Sequence, residues 1–150
     1  MTAWQRSASA TVQISPLAIT GKRIGVIGIG PEAEKGVCRD ALAHPLPLLG
    51  EQAKARGLAL GIVTTTRITH ATPAAVYGHV PFRDWEGADR AYPAADRASG
   101  CADLATQLVS FKGGLDVVLG GGRARFLPLG KGGQFAGFLA ARGELNPLLV

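Results

Sequence analysis

Residues 58–75 read L-A-L-G-I-V-T-T-T-R-I-T-H-A-T-P-A-A, and the change of pattern inside this stretch sets the fold class. From Leu58 to Thr66, the apolar Leu58, Leu60, Ile62 and Val63 are followed by three β-branched threonines, which predicts a buried strand. Thr72-Pro73 then predicts a helix start, because a Thr hydroxyl can cap free N–H groups and proline pre-sets the helical φ; a short helix over Ala74 to Gly78 follows. Upstream, Pro45 suits a first helical position, Leu46, Leu49 and Ala53 share a face, and Gly57 ends the helix. Helix then strand, joined by one Gly-containing turn, is half of an α/β unit. Downstream, a helix is expected from about Gly100 to Phe111, with Leu104, Ala105, Leu108 and Val109 on one face and Asp103 near its positive end. Gly113-Gly114 stops it, and Leu115 to Leu119 reads as a second buried strand running into Gly120-Gly121-Gly122. The expectation is an α/β fold with a mostly parallel sheet covered on both faces. In such sheets functional groups gather past the carboxyl ends of the strands, here residues 64–72 and 120–123. Ile24 to Ile29 is a Gly-broken apolar run, strand or loop, and residues 81–100 read as a surface excursion.

The chain has 150 residues, enough for one domain or part of one. Apolar residues make up 47% and aromatics 6%, which suits a compact Ala/Leu/Val core and not a disordered chain. The formal charge of +5 is spread along the chain with no basic run, which argues against nucleic acid as a partner. No apolar stretch approaches the roughly 18 residues of a membrane span. Ser7-Ala8-Ser9-Ala10 resembles a signal-peptide cleavage site, but no apolar run precedes it. Counting alone leaves Cys38 and Cys101 as two buried thiols.

Six hydroxyl or imidazole side chains fall within residues 64–72: Thr64, Thr65, Thr66, Thr69, His70 and Thr72. Hydroxyl and water oxygens suit a hard ion such as Mg²⁺, and an imidazole can hold metal-bound water. The plain structural alternative is a threonine-rich strand followed by a capped helix. Thirteen residues after His70 comes Arg83, whose fork matches phosphate oxygens in two parallel hydrogen bonds. Its plain alternative is a surface arginine paired with Asp84 or Glu86.

The stretch G-I-V-T-T-T-R-I-T-H-A-T-P-A-A-V-Y-G-H-V-P-F-R-D-W at residues 61–85 resembles the alkaline phosphatase family, as do G-C-A-D-L-A-T-Q-L at 100–108 and D-V-V-L-G-G-G-R at 116–123. The likeness covers about residues 36–128, with Thr2-Ala3-Trp4 as an outlying match. It implies part of a three-layer α/β/α sandwich over residues 22–128, flanked by divergent segments 1–21 and 129–150. By position it implies Thr72 as a magnesium ligand, His70 at the same site acting through bound water, and Arg83 clamping the phosphate. Cys38 and Cys101 resemble a pair that is disulfide-bonded in animal members; bridged, they would close a loop of roughly 60 residues, worth on the order of 4 kcal/mol. The resemblance further implies Zn²⁺ beside Mg²⁺, phosphate monoester substrates, frequent homodimers and a periplasmic or secreted setting.

The family's nucleophile is a serine in a D-S-A segment just before T-A-W, a segment absent from this chain; Ser7, Ser9 and Ser15 lack the preceding aspartate. After Pro128 only Glu144 remains as a side chain of metal-ligand type. Residues 7–19 stand where the family is shorter. These departures lead to the expectation of an internal fragment, marginally stable and inactive alone. A second reading is a Gly-rich nucleotide-binding module built on Gly25, Gly28 and Gly30 or on Gly120 to Gly122. The spacing is out of order for a dinucleotide fingerprint, and Pro31 stands where a helix should open. A third is a non-catalytic remnant.

Overall fold

The computed structural model describes residues 25–87 and 92–127. The flanking segments 1–21 and 129–150, with Thr2-Ala3-Trp4, the three early serines and Glu144, lie outside the described residues. The elements run α1 (Cys38–Ala43), α2 (Leu49–Ala55), β1 (Gly61–Arg67), α3 (Ala71–Ala74), α4 (Ala94–Ala98), α5 (Leu104–Val109), β2 (Val117–Gly121) and a 3₁₀ turn over Arg123–Arg125.

The two strands pair in parallel, with Gly61 beside Val117, Ile62 beside Val118 and Val63 beside Leu119; an irregularity follows, and Arg67 meets Gly121. Parallel neighbours need a crossover, and α3 to α5 supply it. Neighbouring positions in a strand face opposite ways. Ile62 is buried in a core with Leu60, Ile68, Val76, Tyr77, Val80, Leu104 and Leu108, and Val118 packs against that core. On the other face Val63 is 57% exposed and Leu119 50%. Among the described residues the sheet is therefore covered on one face, where the sequence predicts cover on both. Leu58, read as a buried strand residue, is also exposed and precedes the strand.

The helix predicted from Pro45 starts instead at Leu49. Pro47 disfavours helical backbone at Leu46, so residues 45–48 stay extended. Leu46 N–H donates to the Gly28 carbonyl, and Pro45 forms an isolated bridge with Ile29. The Glu51 carboxylate accepts the Leu48 N–H and caps the helix. The stop at Gly57 is as expected: its φ is +68°. Ile27 bridges Val80 antiparallel, so the described part of the Gly-broken apolar run, residues 25–29, contributes isolated bridges and not a full strand.

The helix predicted over residues 100–111 is shorter, because Asp103 caps it by accepting the Thr106 N–H at 2.7 Å. β2 starts two residues later than expected and takes in Gly120 and Gly121, since a Cβ on Gly120 would lie 2.8 Å from Thr64 Cγ2. The excursion at 81–100 is less superficial than its composition suggests. Pro81, Trp85, Glu86, Gly87 and Tyr92 are buried, and Trp85 and Tyr92 pack around a disulfide between Cys38 and Cys101. The two cysteines are thus bonded, and the counting argument for free thiols does not hold.

Candidate functional site

β1 delivers its last residues toward the turn that carries His70. Ile68 N–H donates to Gly121 O, which fastens the end of β1 to the end of β2. Tyr77 Oη donates to Ile68 O from beneath; burial, with the fields of Glu86 and Asp103, keeps this phenol protonated well above its ordinary range. His70 then stands as the N-terminal flanking residue of α3, with extended backbone and no capping side-chain bond.

The cap predicted for Thr72 is not made. Thr72 is the second residue of α3, its side chain is exposed, and Pro73 behind it loses nothing, since the first-turn N–H groups have no intrahelical acceptor. Its hydroxyl therefore stays available to a ligand at the carboxyl end of β1.

Arg83 sits on the loop that follows Val80. Its N–H donates to Gly25 O at 2.7 Å, and its guanidinium Nη2 lies 2.9 Å from His70 Nε2. Asp84 is 3.8 Å from Nε, and the Arg83 side chain is 37% exposed. Guanidinium has donors only, so His70 Nε2 must accept, and the imidazole proton then sits on Nδ1. Nδ1 is buried and has no partner. A buried N–H donor without an acceptor costs about 1–3 kcal/mol, so this atom fits an oxygen brought in with a ligand. Arg83 and His70 are thus in contact, Thr72 lies two residues further on, and each stands past the end of a parallel strand or on the loop against it.

A second cluster lies next to the pair, and the sequence reading did not single it out. The Glu86 carboxylate takes a two-pronged contact from Arg67, with Nε to Oε2 at 2.8 Å and Nη2 to Oε1 at 2.6 Å. Thr69 Oγ1 donates to Oε2 at 2.7 Å, and Arg125 Nε approaches the same oxygen at 3.7 Å. Burial pushes the carboxyl up, but the hydrogen bonds from Arg67 and Thr69 and the charges of both arginines outweigh it and hold Glu86 below its ordinary value. The same contacts push Arg67 up, the Glu86 hydrogen bond first. In the sequence Glu86 figured only as a possible mate for Arg83; the available signal was an acid next to a tryptophan.

As to metals, the Thr72 hydroxyl is an oxygen that could reach a hard cation, and the unpartnered His70 Nδ1 could act through a water on it. The described residues contain no group of three His, Cys, Asp or Glu side chains that would hold an ion alone. The described serines are elsewhere: Ser99 and Ser110 end α4 and α5 and donate to Ala95 O and Thr106 O. The glycines offered for a nucleotide loop serve packing. A Cβ on Gly28 would lie 2.4 Å from Gly78 O, and one on Gly122 would lie 3.0 Å from Arg67 Cβ.

A family model described as alkaline phosphatase matches residues 10–138. The human tissue-nonspecific alkaline phosphatase isozyme is 37% identical over 107 residues, 71% of this chain and 20% of its own length. The chicken isozyme is 39% identical over 104 residues, 69% and 20% of the respective chains. An alkaline phosphatase of Gadus morhua is 38% identical over 104 residues, 69% and 22%. The chain spans about one fifth of the length of these curated relatives.

Proposed function

The chain belongs to the alkaline phosphatase family, and from that premise we propose that it carries the phosphate-gripping and magnesium-side portion of a phosphomonoester hydrolase site. The observation that carries the proposal is the Arg83–His70 contact, which sets a partly exposed guanidinium, with Asp84 3.8 Å from its Nε, beside an unpartnered imidazole N–H. Arg83 would hold two non-bridging phosphate oxygens, where its charge opposes that developing on the transferring group. Thr72 Oγ1 and, through a water, His70 Nδ1 would hold Mg²⁺; the ion when bound supplies an ordered, polarised water. The described residues bring together no set of His, Cys, Asp or Glu side chains that fits zinc. The described serines, Ser99 and Ser110, are held at helix ends, so this site would bind phosphate without turning over p-nitrophenyl phosphate.

On this reading the phosphatase portion would span residues 22–128, between the divergent segments 1–21 and 129–150. The open sheet face at Val63 and Leu119 is where a further layer of a three-layer sandwich would lie. The disulfide favours an oxidising setting, periplasmic or secreted. No helix among the described residues is long and apolar enough to cross a membrane. Homodimer formation is carried over from the family as part of the same proposal.

The test is titration of the oxidised chain with inorganic phosphate, with and without Mg²⁺. Binding that Arg83→Ala weakens by at least about tenfold supports the reading, as expected for losing charged hydrogen bonds. Thr72→Val should remove any gain given by Mg²⁺. A folded wild-type chain that binds no phosphate, or an Arg83→Ala chain that binds as well as wild type, sinks it.

A further inference from the structure

We propose that Glu86 is the positioning residue of this site: its carboxylate fixes Arg83 against His70 by bracing the Arg83 loop to the ends of both strands. The inference rests on the phosphate-site reading above for its purpose, but its geometry stands apart from it. Arg83 and His70 come from two segments, the loop at residues 81–87 and the turn after β1, and two bridges join those segments. One is the Arg83–His70 hydrogen bond at 2.9 Å. The other is the buried Glu86 carboxylate, three residues past Arg83, held by Arg67 and Thr69 just before His70. Chain and contacts close a small ring, from Thr69 and His70 across to Arg83, along to Glu86, and back to Thr69.

The brace reaches further than that ring. Arg125, on the 3₁₀ turn after β2, approaches the same carboxylate, and Gly87 permits the loop to lie close, since a Cβ there would meet Arg125 O at 3.2 Å. The Glu86 carbonyl accepts the Ala105 N–H at the start of α5. Arg67 is itself seated by Gly122, whose left-handed backbone leaves room for its Cβ. A buried ion pair adds little net stability compared with apolar packing. What a two-pronged carboxylate–guanidinium contact adds is direction. Here the direction matters at the guanidinium three residues away, where a misplacement of about 1 Å is costly to a site that works by alignment.

The experiment uses the oxidised 150-residue chain, ¹⁵N-labelled, with two variants, Glu86→Gln and Arg67→Lys. Two quantities are read under conditions where near-UV circular dichroism shows each variant folded. They are the ¹⁵N signature of the His70 tautomer, which reports Nε2 as acceptor, and the affinity for inorganic phosphate. The expected result is that Glu86→Gln shifts His70 away from the Nδ1–H tautomer and weakens phosphate by about tenfold, while Arg67→Lys, which keeps one charged contact, lies between it and wild type. A folded Glu86→Gln chain with the wild-type tautomer and wild-type affinity overturns the inference. So does a loss of affinity that only follows the unfolded fraction. If Glu86→Gln does not fold, Arg67→Lys decides by the same readouts. If wild type binds no phosphate, the function reading fails, and the tautomer alone still decides whether Glu86 positions the pair.

Discussion

Arg83 donates a hydrogen bond that His70 Nε2 accepts, which puts the imidazole proton on Nδ1, a buried atom without a partner. Each residue type here was readable from the sequence: hydroxyls and an imidazole after a strand, then an arginine. Their contact was not, because it depends on a loop whose composition looks superficial and whose anchor, Glu86, is one acid among several. That anchor makes a prediction in pH. The Glu86 carboxyl is held below its ordinary 4.5, so the folded state binds its proton less readily than the unfolded chain does. Its stabilisation is complete above the unfolded value and is lost as pH falls through the lowered folded one. Asp116, lowered first by its hydrogen bond from Lys54, adds in the same sense from an exposed position. Urea midpoints should therefore fall on acidification below about pH 4.5, and less steeply in Glu86→Gln; equal slopes in both chains would refute the assignment. Asp103 makes a simpler case. As the cap of α5 it accepts the Thr106 N–H, and Asp103→Ala should cost about 1 kcal/mol in denaturant unfolding.

At the scale of elements, the sequence pattern located both strands and the helices α2, α3 and α5, missed their ends, and did not foresee α1 or α4. The ends were set by features that propensity does not weigh: Pro47 holding Leu46 extended, the Glu51 and Asp103 caps, and the fit of Gly120 against Thr64 that prolongs β2. The apolar pattern of β1 promised burial on both faces, and Ile62 and Val63 each meet hydrophobic expectation in sequence. Among the described residues only Ile62 finds a core, since α3 and α5 lie on one side of the two-stranded sheet. Val63 and Leu119 are paired neighbours on the side that no described residue covers. A pair of exposed large apolar side chains on a sheet face favours self-association. The double variant Val63→Thr, Leu119→Thr keeps β-branched or strand-tolerant residues and should change stability by no more than about 0.5 kcal/mol. Sedimentation velocity should show less association in the variant; an unchanged distribution would mean that this face is not what brings copies together.

At the scale of the whole molecule, the two-stranded sheet of the described residues is backed by a covalent tie. The crossover from β1 to β2 runs through the segment that bears Cys101, and Cys38 lies before β1, so the disulfide ties the start of the fold to its crossover across a separation of 63 residues. Closing a loop of that length removes unfolded-state freedom worth about 4 kcal/mol in the chain-entropy model. The bond is not isolated: Trp85 and Tyr92 pack on it, Tyr92 Oη donates to Cys101 O, and burial pushes the Tyr92 phenol up to about 12. Trp85 in turn is one residue from Glu86 and two from Arg83, and its carbonyl accepts the Leu104 N–H at the head of α5. Cutting the bond should therefore act twice, by releasing unfolded-chain entropy and by loosening the wall behind the Arg83 loop. Cys38→Ser, Cys101→Ser should lower the unfolding free energy by about 4 kcal/mol, and that is a large part of the 5–15 kcal/mol typical of a domain. Among the described residues one face of the sheet is uncovered, which leaves little else there to offset such a loss. The expected outcome is loss of the cooperative near-UV transition in the double serine variant, and loss of phosphate affinity with it. A variant that unfolds at the wild-type denaturant midpoint would show that the core of Leu60, Ile62, Leu104 and Leu108 holds the site without the bridge.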